Sequence, residues 1–442
     1  MPNKTVLPEL FAFLRAGVSP FHAAAHACAL LDAAGYTRLE EADYWNLDAN
    51  RGYYTTRNNS SVLAWRVPSH AIGGWRITAS HADSPCWKIK NFKVEAAGCT
   101  KLNVEGYGGM NMATWLDRPL GVAGRVMLRD AQAGTLQSRL VDLDRDLLVI
   151  PSLAIHMERT LNDGHKYDPA VDMQPLYGPA GCTPLPALLA GALGVAEDAI
   201  LDHDLTLYAR QTPTRLGPQG EYFMSPRIDD LECAATTLFG FLTAAPQTDD
   251  ACAPVWALLD NEEVGSGTRQ GAQSTFLRDT LDRILGAVAH SAQAGQRALA
   301  NSFVLSADNA HATHPNFAAK ADAANPVRLG GGVVLKTNAS QKYTTNALSG
   351  ALFREICRQN DVAVQLFANR ADLPGGSTLG NLQSHSLPVP MVDIGLAQLA
   401  MHSAVETAAV ADADAMVRAV AGFYRIHLRA LGDGQYDVGG MA

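Results

Sequence analysis

Four short apolar runs, at residues 75–80, 255–259, 303–306 and 389–394, each give way to His, Asp or Glu. His81 and Asp83 follow the first, and Asp260, Glu262 and Glu263 follow the second. Asp308 follows the third, and His402 lies a short loop beyond the fourth. Helical spacing fills the chain between them: Leu231, Ala234, Ala235, Leu238, Phe239 and Leu242 mark one helix, and 275–300 and 350–359 read the same way. Such alternation implies an α/β fold, a central and mostly parallel sheet with helices on both faces. The carboxyl ends of strands in such sheets gather where ligands bind, so these residues are expected along one edge. Asp229 precedes the helix that begins at Leu231, where the helix dipole favours an ionised carboxylate.

Both ends of the chain carry this pattern and the middle breaks it. At the start, 5–36 reads as helical, with Ser19-Pro20 as an N-cap and first-turn pair, and 61–67 is β-like. In the middle, 126–128, 136–140, 147–150 and 205–209 are β-like, 168–186 reads as loop and 187–194 as a short helix. The expectation is an inserted, mostly β domain at 93–218 within a catalytic α/β domain formed by 1–92 and 219–442. The Ala-rich stretch 408–415 reads as ordinary helix surface.

Composition narrows the functional classes. With 442 residues, 47% hydrophobic and 18% charged, the chain can bury a large core and is neither disordered nor a coiled coil. A formal net charge of -9 without a basic tract argues against a nucleic-acid partner. No apolar run reaches the ~20 residues of a membrane helix, and Glu9, Arg15 and Pro20 interrupt the N-terminal stretch, so no signal peptide is expected. Seven cysteines without a C-x-x-C pair fit neither a disulfide framework nor a thiolate zinc site, and imply the cytoplasm.

The expected edge therefore collects nitrogen and oxygen donors. Two histidines and several carboxylates suit two divalent ions such as zinc, bridged by a carboxylate with a water between them. Singly the pieces are ordinary, since a Glu-Glu pair usually opens a solvated helix. Their order along the chain adds more. His81-Ala82-Asp83-Ser84-Pro85-Cys86, Pro226-Arg227-Ile228-Asp229-Asp230, Asp260-Asn261-Glu262-Glu263-Val264-Gly265-Ser266, Ser306-Ala307-Asp308-Asn309-Ala310-His311 and Met401-His402-Ser403 resemble the successive signatures of the aspartyl aminopeptidase family. These are di-zinc exopeptidases, and the resemblance runs from about Ser19 to His402.

That resemblance implies a set of roles. One metal would take His81 and Asp308, the other Glu263 and His402, with Asp229 bridging. Glu262 would be the general base, and Asp83 would accept the other ring N–H of His81. Co2+ or Mn2+ could replace the two Zn2+ ions. The substrates would be short peptides beginning with Asp or Glu. Gly331-Gly332-Val333-Val334-Leu335-Lys336-Thr337-Asn338 resembles a segment lining the pocket, with Lys336 as its cation; the plainer reading ends an edge strand at Lys336. Tyr343 and Gly375-Gly376-Ser377-Thr378 resemble further pocket elements, though the latter also reads as a turn before a helix. His156 matches a family histidine that reaches a neighbouring subunit's site, against the rival reading of a buried core histidine. The family assembly is a tetrahedral dodecamer, the inserted domain serving dimerisation.

Other candidates read as structure. His22 and His26 stand four apart on a helix, but no Glu follows His22 as a metalloprotease helix needs. His311 and His314 read as loop residues near the site, His311 being the better supporting candidate. Tyr107-Gly108-Gly109 lacks a nucleotide-binding spacing, and Trp115-Leu116-Asp117-Arg118 reads as structural. Asp230, Ala82 and Met110 depart from the family's usual Asn, Thr and Gly, and Asp230 adds a carboxylate. Two alternatives stay open: a broad-specificity aminopeptidase with the same metals, and a non-catalytic assembly or peptide-binding relative.

Overall fold

The computed structural model describes residues 5–130, 132–244, 252–288 and 291–439. Its centre is a nine-stranded sheet. The strands are β1 (Thr37–Arg38), β2 (Gly52–Arg57), β3 (Ser61–Arg66), β4 (Gly74–His81), β5 (Cys252–Leu259), β6 (Phe303–Ala307), β7 (Val333–Thr337), β8 (Val364–Ala368) and β9 (Met391–Gly395). Their spatial order is β1-β2-β3-β5-β4-β6-β9-β7-β8. The middle strands β5, β4, β6 and β9 run parallel, β3 and β7 pair antiparallel to that block, and β8 runs parallel to β7.

Strand sequences explain the burial. In β5 the side chains of Val255, Ala257 and Leu259 enter one core and those of Trp256 and Leu258 the other. A strand covered on both faces favours apolar residues at successive positions, which is why β5 reads as continuous rather than alternating; β4 instead buries Arg76, Thr78 and Ser80 between its apolar positions. Helices Pro20–Ala33, Ile228–Thr243, Ala347–Gln359 and Val410–Arg425 contribute to one core, and Phe276–Ala287 and Ala292–Ala300 to the other. Ser19 caps Pro20–Ala33 as its pattern predicts, its hydroxyl accepting the His22 N–H at 3.4 Å.

A six-stranded antiparallel sheet forms a separate layer, in the order Thr135–Asp142, Leu120–Asp130, Ile200–Ala209, Cys86–Ala96, Cys99–Tyr107 and Leu176–Pro179. It has its own core around Trp87, Leu102, Val122, Val126 and Leu205. Its first strand, Cys86–Ala96, runs across position 92/93. A smaller five-stranded sheet joins Thr214–Leu216, Tyr222–Ser225, Glu406–Ala409, Ala397–Leu399 and Ala310–His311.

Three local expectations are corrected. The stretch 168–186 is not all loop: it holds the strand Leu176–Pro179 and the start of helix Leu185–Leu193. The span 275–300 is two helices, and residues 289–290 between them lie outside the described residues. The stretch 408–415 is not surface, because Ala408 and Ala409 end a strand and Ala413 and Ala415 pack into the core. Alanine's small side chain allows this close approach, and composition cannot tell it from an exposed helix face. No helix among the described residues is long and apolar enough to cross a membrane.

Candidate metal centre

Strand β4 ends on His81, and two residues later the chain reaches Asp83, both 1% exposed. His81 Nδ1 stands 3.0 Å from the main-chain oxygen of Asp83 and 3.4 Å from Asp83 Oδ1. The main-chain carbonyl thus lies closer to the ring nitrogen than the expected carboxylate partner, which stands within ion-pair reach. The carboxylate has other donors. Oδ1 accepts the N–H of Glu262 at 3.1 Å, and Oδ2 accepts the N–H of Glu263 at 3.1 Å and the Tyr107 hydroxyl at 2.7 Å.

Asp308 follows β6 directly, and tight left-handed turns deliver the other groups. Asn261 (φ 63) redirects the chain after β5 into the short turn Glu262–Val264. Arg227 (φ 59) precedes Asp229 and Asp230, which hold non-helical angles at the mouth of helix Ile228–Thr243. His402 itself has φ 65 and lies in the loop between Ala397–Leu399 and Glu406–Ala409. Non-glycine residues in this region cost on the order of 1 kcal/mol or more each, and such conformations cluster at functional sites. The buried carboxylate of Glu406 ties two of these segments together. Its Oε2 accepts the Asp229 N–H at 3.0 Å and its Oε1 the His402 N–H at 2.8 Å.

The side chains converge around Asp229. Asp229 Oδ1 is 3.5 Å from His81 Nε2, and Oδ2 is 3.2 Å from His402 Nε2. Asp308 Oδ1 stands 3.9 Å from His81 Nε2, and Glu263 Oε1 3.3 Å from His402 Nε2. Asp230 joins His81, Asp229 and Asp308 in a group whose donor atoms lie within 4.8 Å of one another, and Glu262 joins His81 and Glu263 in another.

Two observations test whether a metal fits. Asp229 Oδ1, Asp230 Oδ1 and Glu263 Oε1 are buried without a hydrogen-bond partner, a costly state for carboxylate oxygens unless a cation faces them. Ligands sharing a tetrahedral zinc at about 2.0–2.1 Å lie about 3.3 Å apart, close to the separations between Asp229 and each histidine. The donor set fits zinc.

The buried carboxylates and histidines of the cluster shift one another strongly. Burial pushes Glu262 up to about 8, with Asp308 and Glu263 adding to the rise. Burial likewise lifts Glu263 to about 7, against the opposing pull of His402. Burial acts to lower His402, yet Asp229 and Glu263 outweigh it and raise the ring to about 11. His81 is also raised, its burial overcome by Asp230 and by contacts with Asp229 and Asp308. Those histidines hold Asp229 below the usual carboxylate range despite its burial.

A family model described as aminopeptidase I zinc metalloprotease (M18) matches residues 13–424. The chain belongs to the M18 family. It is a metallo-aminopeptidase, a hydrolase. Probable M18 family aminopeptidase 2 of Pseudomonas aeruginosa strain UCBPP-PA14 is 39% identical over 425 residues, covering 94% of this chain and 97% of the relative. Its counterpart from Clostridium acetobutylicum is 38% identical over 427 residues, covering 95% and 98%. The solved structure of Chaetomium thermophilum mApe1 superposes with a TM-score of 0.86 at 30% identity, covering 95% of this chain and 96% of that one. The S. cerevisiae mApe1 dodecamer gives 0.83 at 26%, covering 95% and 96%.

The other candidates of the M18 chain fall in distinct places. Tyr343, Gly376, His311 and His314 line a cavity of about 280 Å³ with Lys320 and Arg370. Lys336 is not among its lining residues. Nor does it end an edge strand, since β7 lies between β9 and β8. Its ammonium, in a side chain 2% exposed as a residue, donates to the Asn309 carbonyl at 2.8 Å and stands 3.3 Å from Asp308 Oδ2. His156 is exposed, which removes the buried-core reading. His22 bonds Ser19 Oγ at 2.8 Å and His26 lies edge-on to Phe13, so both serve helix packing. Trp115 is buried in the six-stranded layer's core. Sequence reasoning missed Glu406 and set Tyr107 aside. Both act through main-chain or second-partner contacts, for which side-chain spacing carries no signal.

Proposed function

We propose that the chain is a two-zinc aminopeptidase that removes N-terminal Asp or Glu from short peptides. The carrying observation is Asp229, whose oxygens face different histidines, as a carboxylate shared by two ions would. His81, Asp308 and Asp229 would hold one ion, and Glu263, His402 and Asp229 the other, with Co2+ or Mn2+ as substitutes. Bound zinc supplies Lewis acidity, making water acidic near neutral pH and polarising the scissile carbonyl. The Glu262 carboxylate takes a proton from the attacking water and returns it to the leaving peptide nitrogen. Asp83 aims Glu262 and Glu263 by accepting their main-chain N–H groups.

Acidic selectivity rests on Lys336, whose ammonium lies 5.6 Å from the centre of the Tyr343 ring, itself part of the cavity wall. The contact of Lys336 with Asp308 favours a second reading, in which its charge serves the metal ligand and the enzyme accepts many first residues. Self-association through the inserted β domain at 93–218 into a tetrahedral dodecamer is part of the proposal, as is the cytoplasm. In support, the loop around His156 exposes Leu153, Ile155 and Met157, an apolar patch suited to a second copy. The 26% identical mApe1 structure is itself a dodecamer. The test is a zinc titration joined to hydrolysis of peptides beginning with Asp, Glu and Leu. Two ions per chain and a preference for Asp and Glu are expected. One ion overturns the two-metal reading, and equal rates overturn the selectivity.

A further inference from the structure

Residues 107–114 carry the six-stranded layer into the metal centre. The Tyr107 hydroxyl donates to Asp83 Oδ2 at 2.7 Å and accepts from Asn261 Nδ2 at 2.9 Å. Gly108 (φ +72) follows, so close to the centre that an added Cβ would lie 3.1 Å from Glu263 Cβ. The Gly109 carbonyl is 2.7 Å from His402 Nδ1. Asn111 N–H donates to the His402 carbonyl at 2.9 Å, and Thr114 Oγ1 accepts the Ala404 N–H at 2.9 Å. These contacts fall on both sides of the site.

We infer that residues 107–114 act as a strap from the β layer that orients Glu262, Glu263 and His402, with Tyr107 as its positioning residue. The inference rests on the proposed two-metal reading, in which these are the general base and two ligands of one ion. The physical argument concerns freedom of motion. Asp83 Oδ2 accepts both the Glu263 N–H and the Tyr107 hydroxyl, so the phenol fixes the carboxylate plane from which both glutamates hang. A carbonyl on His402 Nδ1 leaves Nε2 free as the ligating nitrogen and sets the ring's rotation. Gly108 is needed twice over, by its left-handed backbone and by the approach of Glu263. A rigid β layer thus holds groups that arise on loops after β5 and β9.

The test uses the full chain loaded with cobalt. Tyr107→Phe keeps the ring and removes both hydrogen bonds; Gly108→Ala pushes on Glu263 directly. Both variants should bind the second Co2+ about tenfold more weakly and alter its visible absorption band. For Y107F, kcat should fall about tenfold to a hundredfold with KM within about twofold, the range for partners behind a metal ligand. Wild-type affinity and spectrum in both variants overturn the inference while leaving two-metal binding intact. Loss of the near-ultraviolet circular dichroism in Y107F marks a purely structural role and also overturns it. Wild-type protein that takes up no second Co2+ instead overturns the two-metal reading, and the inference falls with it.

Discussion

At the scale of single residues, the site separates groups that touch chemistry from groups that aim them. Glu263 Oε1 meets His402 Nε2 at 3.3 Å, whereas Glu262 stands near His81 and Glu263 as a carboxylate raised by burial and by its acidic neighbours against the pull of His81. Glu262→Gln should therefore retain zinc while kcat falls by about 10²–10⁴-fold, the range of a positioned general base. Zinc analysis beside steady-state kinetics checks it, and turnover within tenfold of wild type would reject the assignment. Lys336→Ala bears on selectivity. If Lys336 recognises the substrate, KM should rise for Asp-peptides and not for Leu-peptides; an unchanged Asp-to-Leu ratio would assign the lysine to Asp308 alone.

At the scale of elements, what could be read depended on where each strand buries its side chains. Strand β5 was legible as a continuous apolar run, as two-sided burial demands, while β4, β6 and β9 were legible as short buried runs although Arg76, Thr78, Ser80, Ser306 and Asp393 interrupt them. The hairpin Cys86–Ala96 and Cys99–Tyr107 was not, although its two-residue turn, Ala97 (φ 54) and Gly98 (φ 75), has the left-handed pair that matches strand twist. Its strands carry Lys88, Lys90, Lys101 and Glu105, as a one-sided strand does, and so do not stand out from loop. The cluster of candidate ligands was legible because side-chain identity sets metal chemistry. Glu406 was not, because it works on main-chain N–H groups, that of nearby His402 and that of Asp229, the latter brought from 177 positions away by the pairing of Ser225 with Glu406. Replacing it tests that element. Glu406→Gln turns one acceptor into a donor facing an N–H, at a cost of about 1–3 kcal/mol. Its zinc affinity should drop by about 10–100-fold, read by competition with a chelator. Undiminished affinity would mean that the strand pairing alone holds Asp229 and His402.

At the scale of the molecule, the centre is where three sheets meet. His81 ends a strand of the nine-stranded sheet, Glu406 and the His402 loop belong to the five-stranded sheet, and the Tyr107 strand comes from the six-stranded layer. The nine-stranded sheet and the six-stranded layer have cores of their own, and the five-stranded sheet packs Phe223 and Ala408 into the former's, so removing metal should loosen the junction before these interiors. The orphaned oxygens of Asp229 and Glu263 would then repel one another across the gap. Zinc that binds only the folded state contributes about 2.7 kcal/mol per site at a free concentration a hundred times Kd, and that contribution acts on the joining segments. Hydrogen exchange measured with and without chelator should therefore rise at 107–114, 226–230 and 400–406. Strands β4 and β6, buried on both faces and hydrogen-bonded to each other and to neighbouring strands, should stay protected. Uniform acceleration across the chain would mean that the metals stabilise the whole fold rather than its junction. No change at 107–114 would separate the β layer from the metal centre.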